Sequence, residues 1–135
     1  MKLIYLSGPI AGCSDAECRN WRAEFASKWP GACLDPMRHD YRTVDEMTTS
    51  LAHAIVQGDL KDIQVCDGVV VYHDRPSIGT SMEIVYAHQH EKPIIVIDAR
   101  PNPYTPISPW LWFHASEIVS GIDQAINQLI ERVKP

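Results

Sequence analysis

Two hydrophobic periods alternate along this chain. Short unbroken apolar runs occur at Leu3-Ile4-Tyr5-Leu6, Ala32-Cys33-Leu34, Val69-Val70-Val71-Tyr72 and Ile94-Ile95-Val96-Ile97. They are rich in β-branched residues and bounded by Gly, Pro, Asp or Ser, as strands covered on both faces of a sheet are. Between them the apolar positions recur every three or four residues. Trp21, Phe25 and Trp29 form an aromatic stripe on a helix predicted over 15–29, with Arg22 and Lys28 off the stripe and Pro30-Gly31 as the stop. Met47, Leu51, Ile55, Asp59 and Ile63 share nearly one face of a helix running from about 45 to 65. A third helix is predicted from Glu83 to about 90, and a closing one over 117–133 with Ile118, Ile122, Ala125, Ile126, Leu129 and Val133 inward. After the Pro-rich loop 98–109, Trp110 to His114 reads as a short fifth strand or a covering segment.

Regular alternation of strand and helix implies an α/β chain with a parallel sheet. The expected fold is a three-layer α/β/α sandwich, flavodoxin-like or Rossmann-like, with a five-stranded parallel sheet in the order 2-1-3-4-5 and a single domain over residues 1–135. In that order strands 1 and 3 are neighbours whose helices leave on opposite faces, and ligands bind in the crevice at their carboxyl ends. One wall is then Ser7-Gly8-Pro9-Ile10-Ala11-Gly12 and the other 73–80, which carries Asp74, Ser77, Gly79 and Thr80.

Composition narrows the occupants of that crevice. The formal charge of -5 comes with no basic cluster wide enough to hold a nucleic-acid polymer. No apolar run approaches the roughly 20 residues that span a bilayer, so no membrane partner is expected. Cys13, Cys18, Cys33 and Cys66 form no CxxC pair, and no secretory signal is recognisable, which points to free thiols in a reduced, cytoplasmic setting. The glycines of 8–12 do not make a GxGxxG fingerprint, and neither a Walker lysine nor a GxSxG elbow is present. No HExxH occurs, and His88 and His90 are two apart on a helix and point apart, so neither a metal nor a cofactor is expected. No local signal supports Cys13 or Cys66 as a nucleophile.

Two acids stand out instead. Asp59 interrupts an apolar stripe, where a carboxylate is expensive unless something satisfies it; Gly58 beside it gives a ligand room, and Asp62 is expected at the periphery. Glu83 is read as lying in the first turn of a helix at the sheet edge, where amides and the helix dipole favour its anion. Asp59, in a drier place, would hold its proton more tightly, and Tyr5 near the end of strand 1 would reach Glu83. Two carboxyls with separated pKa values suit cleavage of a glycosidic bond.

Four segments in order carry a resemblance: Ile4-Tyr5-Leu6-Ser7-Gly8-Pro9-Ile10; Gly58-Asp59-Leu60-Lys61-Asp62-Ile63 with Cys66-Asp67-Gly68-Val69-Val70; Asp74 with Ser77-Ile78-Gly79-Thr80-Ser81-Met82-Glu83; and Tyr86-Ala87 followed by Lys92-Pro93-Ile94. Together they resemble the nucleoside 2-deoxyribosyltransferase family, including its 2'-deoxynucleoside 5'-monophosphate N-hydrolases. The resemblance implies Glu83 as nucleophile, Tyr5 as the residue that orients it, and Asp59 as the acid serving the nucleobase. It implies substrate contacts from Ser7, Gly8, Pro9, Ile10, Gly12, Asp74, Ser77, Gly79 and Thr80. Ser77 replaces the aspartate common in the transferases and favours a 5'-monophosphate, whereas Ala11 stands where the hydrolases often carry an arginine, a loss that Arg75 or Arg38 would have to offset. The implied partners are a small nucleoside or nucleotide, a free nucleobase, and further copies of the chain in a homodimer or higher homo-oligomer, with loop 98–109 and Trp110–Phe113 as candidate contact surface. Transfer or hydrolysis are both open, and so is a nucleotide-binding module without catalysis.

Overall fold

In the computed structural model, which describes residues 2–133, the chain's first strand and its valine-rich third strand lie side by side within the sheet. These are β1 (Leu3–Ser7) and β3 (Gly68–His73). Around them β2 (Ala32–Leu34), β4 (Ile94–Asp98) and β5 (Glu117–Val119) complete a five-stranded sheet in the order β2-β1-β3-β4-β5. All four ladders are parallel, with Ser7 opposite Val71 at the carboxyl end of the central pair.

Period-two alternation splits the core into two layers. Ile4, Leu6 and Val70 face α1 (Asp15–Lys28) and α5 (Ile122–Arg132), where Trp21, Phe25, Trp29, Ala125 and Leu129 cover them. Tyr5, Val69 and Val71 face the other way, against α2 (Thr49–Val65) and α3 (Ile78–Gln89), with Ile63, Ile84 and Ala87. The aromatic stripe of α1 is therefore core, as its spacing implies.

Several boundaries differ from the sequence reading. Helix α2 begins at Thr49, capped by the Thr48 hydroxyl, not near 45. Helix α3 begins at Ile78 behind the Ser77 cap, so Glu83 lies in its second turn, not its first. Trp110–His114 is no strand: Ser108 caps and Pro109 starts a short helix, α4 (Pro109–His114). The fifth strand is Glu117–Val119, which the helical period had absorbed into the closing helix. Arg22, off the aromatic stripe, is nonetheless buried at 1% exposure. Among the described residues all four cysteines are unpaired, and no helix is long and apolar enough to cross a membrane.

Candidate active site

The central pair of strands ends in two loops that part around a crevice, the point at which strand order reverses. Tyr5 and Ser7, two apart on β1, project to the same face. Helix α3 crosses this face and brings Glu83 over both. The Glu83 carboxylate accepts a hydrogen bond from the Tyr5 hydroxyl at one oxygen and from Ser7 Oγ, 2.8 Å away, at the other. Tyr5 and Ser7 are both buried to 0% exposure, so these two hydroxyls form the floor beneath the carboxylate.

Glu83 and Asp59 line one cavity of about 530 Å3. Gly8, Pro9, Ile10 and Ala11 form one side of it, and Pro76, Ser77, Gly79 and Thr80 another. Met47, Ala52, Ile55 and Val56 supply an apolar roof. The α2 stripe thus changes role along its length: Ile63 is core, whereas Ile55 and Asp59 face the cavity.

Burial is the main cause of the electrostatics here. It pushes the Glu83 carboxyl up to about 7, against the pull of the Tyr5 and Ser7 hydrogen bonds. It pushes Asp59 up to about 6, helped by the neighbouring negative charge of Asp62 and opposed by His39 and Arg38. The expectation that a helix start would favour ionised Glu83 is thus corrected. The first amides of α3 lie more than a turn away, and desolvation outweighs both hydroxyl donors. Tyr5 is raised far above its usual range, first by burial and then by Glu83, so its phenol remains a donor. The Glu83 carboxyl holds its proton to higher pH than Asp59 does, so between about pH 6 and 7 the pair carries one proton, mainly on Glu83.

The structure sorts the remaining expected residues. Gly8, Pro9, Ile10, Ser77, Gly79 and Thr80 reach the cavity with Glu83; Ser7 lies beneath it, bonded to the carboxylate. Gly12 does not line the cavity; its φ of 75° shapes the turn that follows. Asp74 faces a neighbouring cavity of about 790 Å3 beyond the 75–77 segment and bonds Arg75. Neither Glu83 nor Asp59 lines that larger cavity. Arg75 lines both, with its guanidinium paired to Glu17 and Asp74. Arg38 bonds Asp62, whose side chain is 13% exposed and does not line the cavity. Gly58 does not line the cavity, and a Cβ there would meet nothing within 4 Å, so it gives the site no room.

Two contributors escaped the sequence reading. Tyr41 lines the cavity from the loop after β2. Arg22 donates to Leu6 O at 3.3 Å, Gly8 O at 3.0 Å and Cys18 O at 2.7 Å, and its guanidinium carbon lies 4.7 Å from the Trp21 ring centroid. The signal for Arg22 was available: Cys18, Arg22, Phe25 and Trp29 are spaced four, three and four residues apart, as on a buried helix face, with Trp21 beside them. Among the described residues no group of three or more His, Cys, Asp or Glu side chains is placed to hold a metal.

With this geometry in place, comparison with known proteins is informative. The model of the family described as nucleoside 2-deoxyribosyltransferase matches residues 4–129. No curated protein matches the chain in sequence. Among solved structures, the chain is similar to the 2-deoxyribosyltransferase of the psychrotolerant bacterium Bacillus psychrosaccharolyticus, with a TM-score of 0.74 and 13% identity over 93% of this chain and 90% of that one. A conserved protein from Enterococcus faecalis V583 gives a TM-score of 0.75 and 15% identity over 98% and 99%. The CMP N-glycosidase BcmB of Clostridium botulinum gives 0.55 and 17% over 95% and 98%. At these identities the structures establish the shared fold, and the sequence model establishes the kinship.

Proposed function

The chain belongs to the nucleoside 2-deoxyribosyltransferase family, and from that premise we propose that it is a single catalytic domain that breaks the N-glycosidic bond of a 2'-deoxynucleoside or its 5'-monophosphate through a covalent glycosyl-enzyme on Glu83. The observation that carries this reading is the Glu83 carboxylate, held by Tyr5 and Ser7 and facing one cavity with Asp59. Ionised Glu83 attacks C1' as the base departs through an oxocarbenium-like transition state. Asp59 supplies the proton that the leaving base takes up. The reactive form is the minor arrangement of the singly protonated pair, with the proton on Asp59, because Glu83 is the weaker acid of the two, the reverse of the order expected from the sequence. Attack by a second nucleobase on the glycosyl-enzyme, its N–H proton passing to the Asp59 carboxylate, completes transfer with retention and returns the Glu83 carboxylate and protonated Asp59. The absence of a 2'-hydroxyl favours the cationic transition state, because an electron-withdrawing group at that carbon would destabilise it.

Hydrolysis by the same site is the second reading. Ser77, the cap of α3 on the cavity wall, supports a 5'-phosphate substrate, and likeness to a CMP N-glycosidase supports water as acceptor. Incubation of each common 2'-deoxynucleoside and its 5'-monophosphate with a different free base separates the two. A new nucleoside marks transfer, and free deoxyribose or its 5-phosphate marks hydrolysis. Glu83→Ala is expected to abolish both without unfolding the chain; full turnover in that variant rejects the assignment. Tight binding of a monophosphate with no cleavage at high enzyme concentration leaves a non-catalytic binding module.

A second copy of the chain completes the proposed assembly. Ile78, Met82 and Val85 form an exposed apolar stripe on α3, and Trp110, Trp112 and Phe113 are each at least 70% exposed on α4. Such a surface suits burial against another protomer, and sedimentation that finds only monomer overturns this. Unpaired thiols support a cytoplasmic setting.

A further inference from the structure

A buried guanidinium is costly unless it has work that an apolar side chain cannot do. Arg22, 1% exposed, stands among Trp21, Phe25 and Leu6. Among the described residues its one ion-pair partner is Asp35, 3.6 Å away, whose side chain is 41% exposed and which also caps Met37 N. That is incomplete neutralisation. Its hydrogen bonds are more specific than its charge pairing, because Leu6 O and Gly8 O are the carbonyls on either side of Ser7. The close approach also explains Gly8. A Cβ there would lie 2.7 Å from the Trp21 ring and 3.4 Å from the Arg22 guanidinium.

We propose that Arg22 is a positioning residue for the reaction: from the opposite face of the sheet it clamps the carbonyls of Leu6 and Gly8, the residues before and after Ser7, and so fixes the hydroxyl that holds the Glu83 carboxylate. The proposal rests on Glu83 being the nucleophile. The charge has a second effect, since Arg22 favours the anionic form of Glu83 across the strand end and opposes the burial that disfavours it. The other groups facing Glu83 are Tyr5 and Ser7 from β1, Asp59 from α2 and Tyr41 from the loop after β2. Neither Tyr5 nor Tyr41 carries charge near neutrality, and both are pushed up by burial. Asp59 works against the Glu83 anion, Arg22 acts for it more weakly than the two hydroxyls do, and Arg75 is a further cation on the wall of the same cavity.

The test uses Arg22→Lys, which keeps the charge but cannot span both carbonyls, and Arg22→Met, which keeps neither. Steady-state rates are measured with whichever 2'-deoxynucleoside or 5'-monophosphate the unaltered protein turns over. The ionisation of Glu83 is followed by carbon-13 NMR of labelled glutamate, its resonance assigned by loss in Glu83→Gln. Arg22→Lys is expected to lower kcat by on the order of 10²-fold with KM within about threefold, the effect of a nucleophile misplaced by about an ångström, and to leave the Glu83 midpoint near its parental value. Arg22→Met is expected to lower kcat at least as far and to move the midpoint upward. A raised KM with unchanged kcat in Arg22→Lys would mark an ordinary loop brace and overturn the proposal, and so would parental kcat in that variant. An unmoved midpoint in folded Arg22→Met overturns the charge effect. Should Arg22→Met not fold, Arg22→Lys still decides the clamp. Retained activity in Glu83→Ala would instead sink the reading of Glu83, and the NMR titration reports on Arg22 whether or not that happens.

Discussion

Glu83 occupies a position that disfavours its own charge, and that cost should be measurable as stability. Its carboxyl has an ordinary value of 4.5 and sits at about 7 in the fold, chiefly because burial penalises the anion. Between these values the folded chain keeps a proton that the unfolded chain has released. Stability therefore falls as pH rises through this window, and the loss is complete above about pH 7. At about 1.4 kcal/mol per pH unit separating the two values, the penalty is about 3 kcal/mol at pH 8 and vanishes well below 4.5. Glu83→Gln keeps the size and one accepting oxygen but removes the charge. In urea unfolding it is expected to be more stable than its parent by about 3 kcal/mol near pH 8, with the difference close to zero near pH 4. A variant no more stable than its parent near pH 8, or a difference that does not change with pH, refutes the reasoning. If Glu83→Gln gains stability and loses turnover together, this residue is a place where activity holds stability down.

Three further outcomes follow from the same geometry. The pH profile of kcat/KM should be a narrow bell centred between about 6 and 7, falling on the acid side as the Glu83–Asp59 pair takes a second proton and on the alkaline side as it loses its last; a flat profile from about pH 5 to 9 contradicts the paired assignment. Asp59→Asn should lower kcat by about 10²- to 10⁴-fold, with the smallest loss for bases that leave readily without protonation; an equal loss across bases of different basicity contradicts its role as proton donor. Gly8→Ala should lower stability by about 1–3 kcal/mol, because its Cβ would lie 2.7 Å from the Trp21 ring; a thermal midpoint equal to the parent's argues against that packing.

The strands that position the site were legible because each is covered on both faces. Val69-Val70-Val71 and Ile94-Ile95-Val96-Ile97 have no polar position to confuse the period. Edge strand β5 has only three residues, one of them the exposed Glu117, and its Ile118 fits a helical repeat equally well. The aromatic run at 110–113 imitated a strand, yet Ser108-Pro109 was a helix-start signal. At the site, Tyr5 followed from strand position, and Asp59 from its place on an apolar stripe. The protonation of Glu83 was misjudged because the cap of α3 lies at Ser77, six residues before it. Arg22 was discounted because a charged residue beside an aromatic stripe usually points to water. The carbonyls of Leu6 and Gly8 at the end of β1, with Cys18 O one turn back on its own helix, give it a reason to point inward.

Helix α2 divides its labour along its axis. Ile63 anchors one end in the apolar layer under the sheet, while Ala52, Ile55 and Val56 meet only the space above the two acids. Replacements in that outer half leave the anchoring layer untouched and alter the shape of the ceiling directly. A lineage can therefore reshape the cavity through a few changes on a single helix, without first acquiring compensating changes in the foundation below.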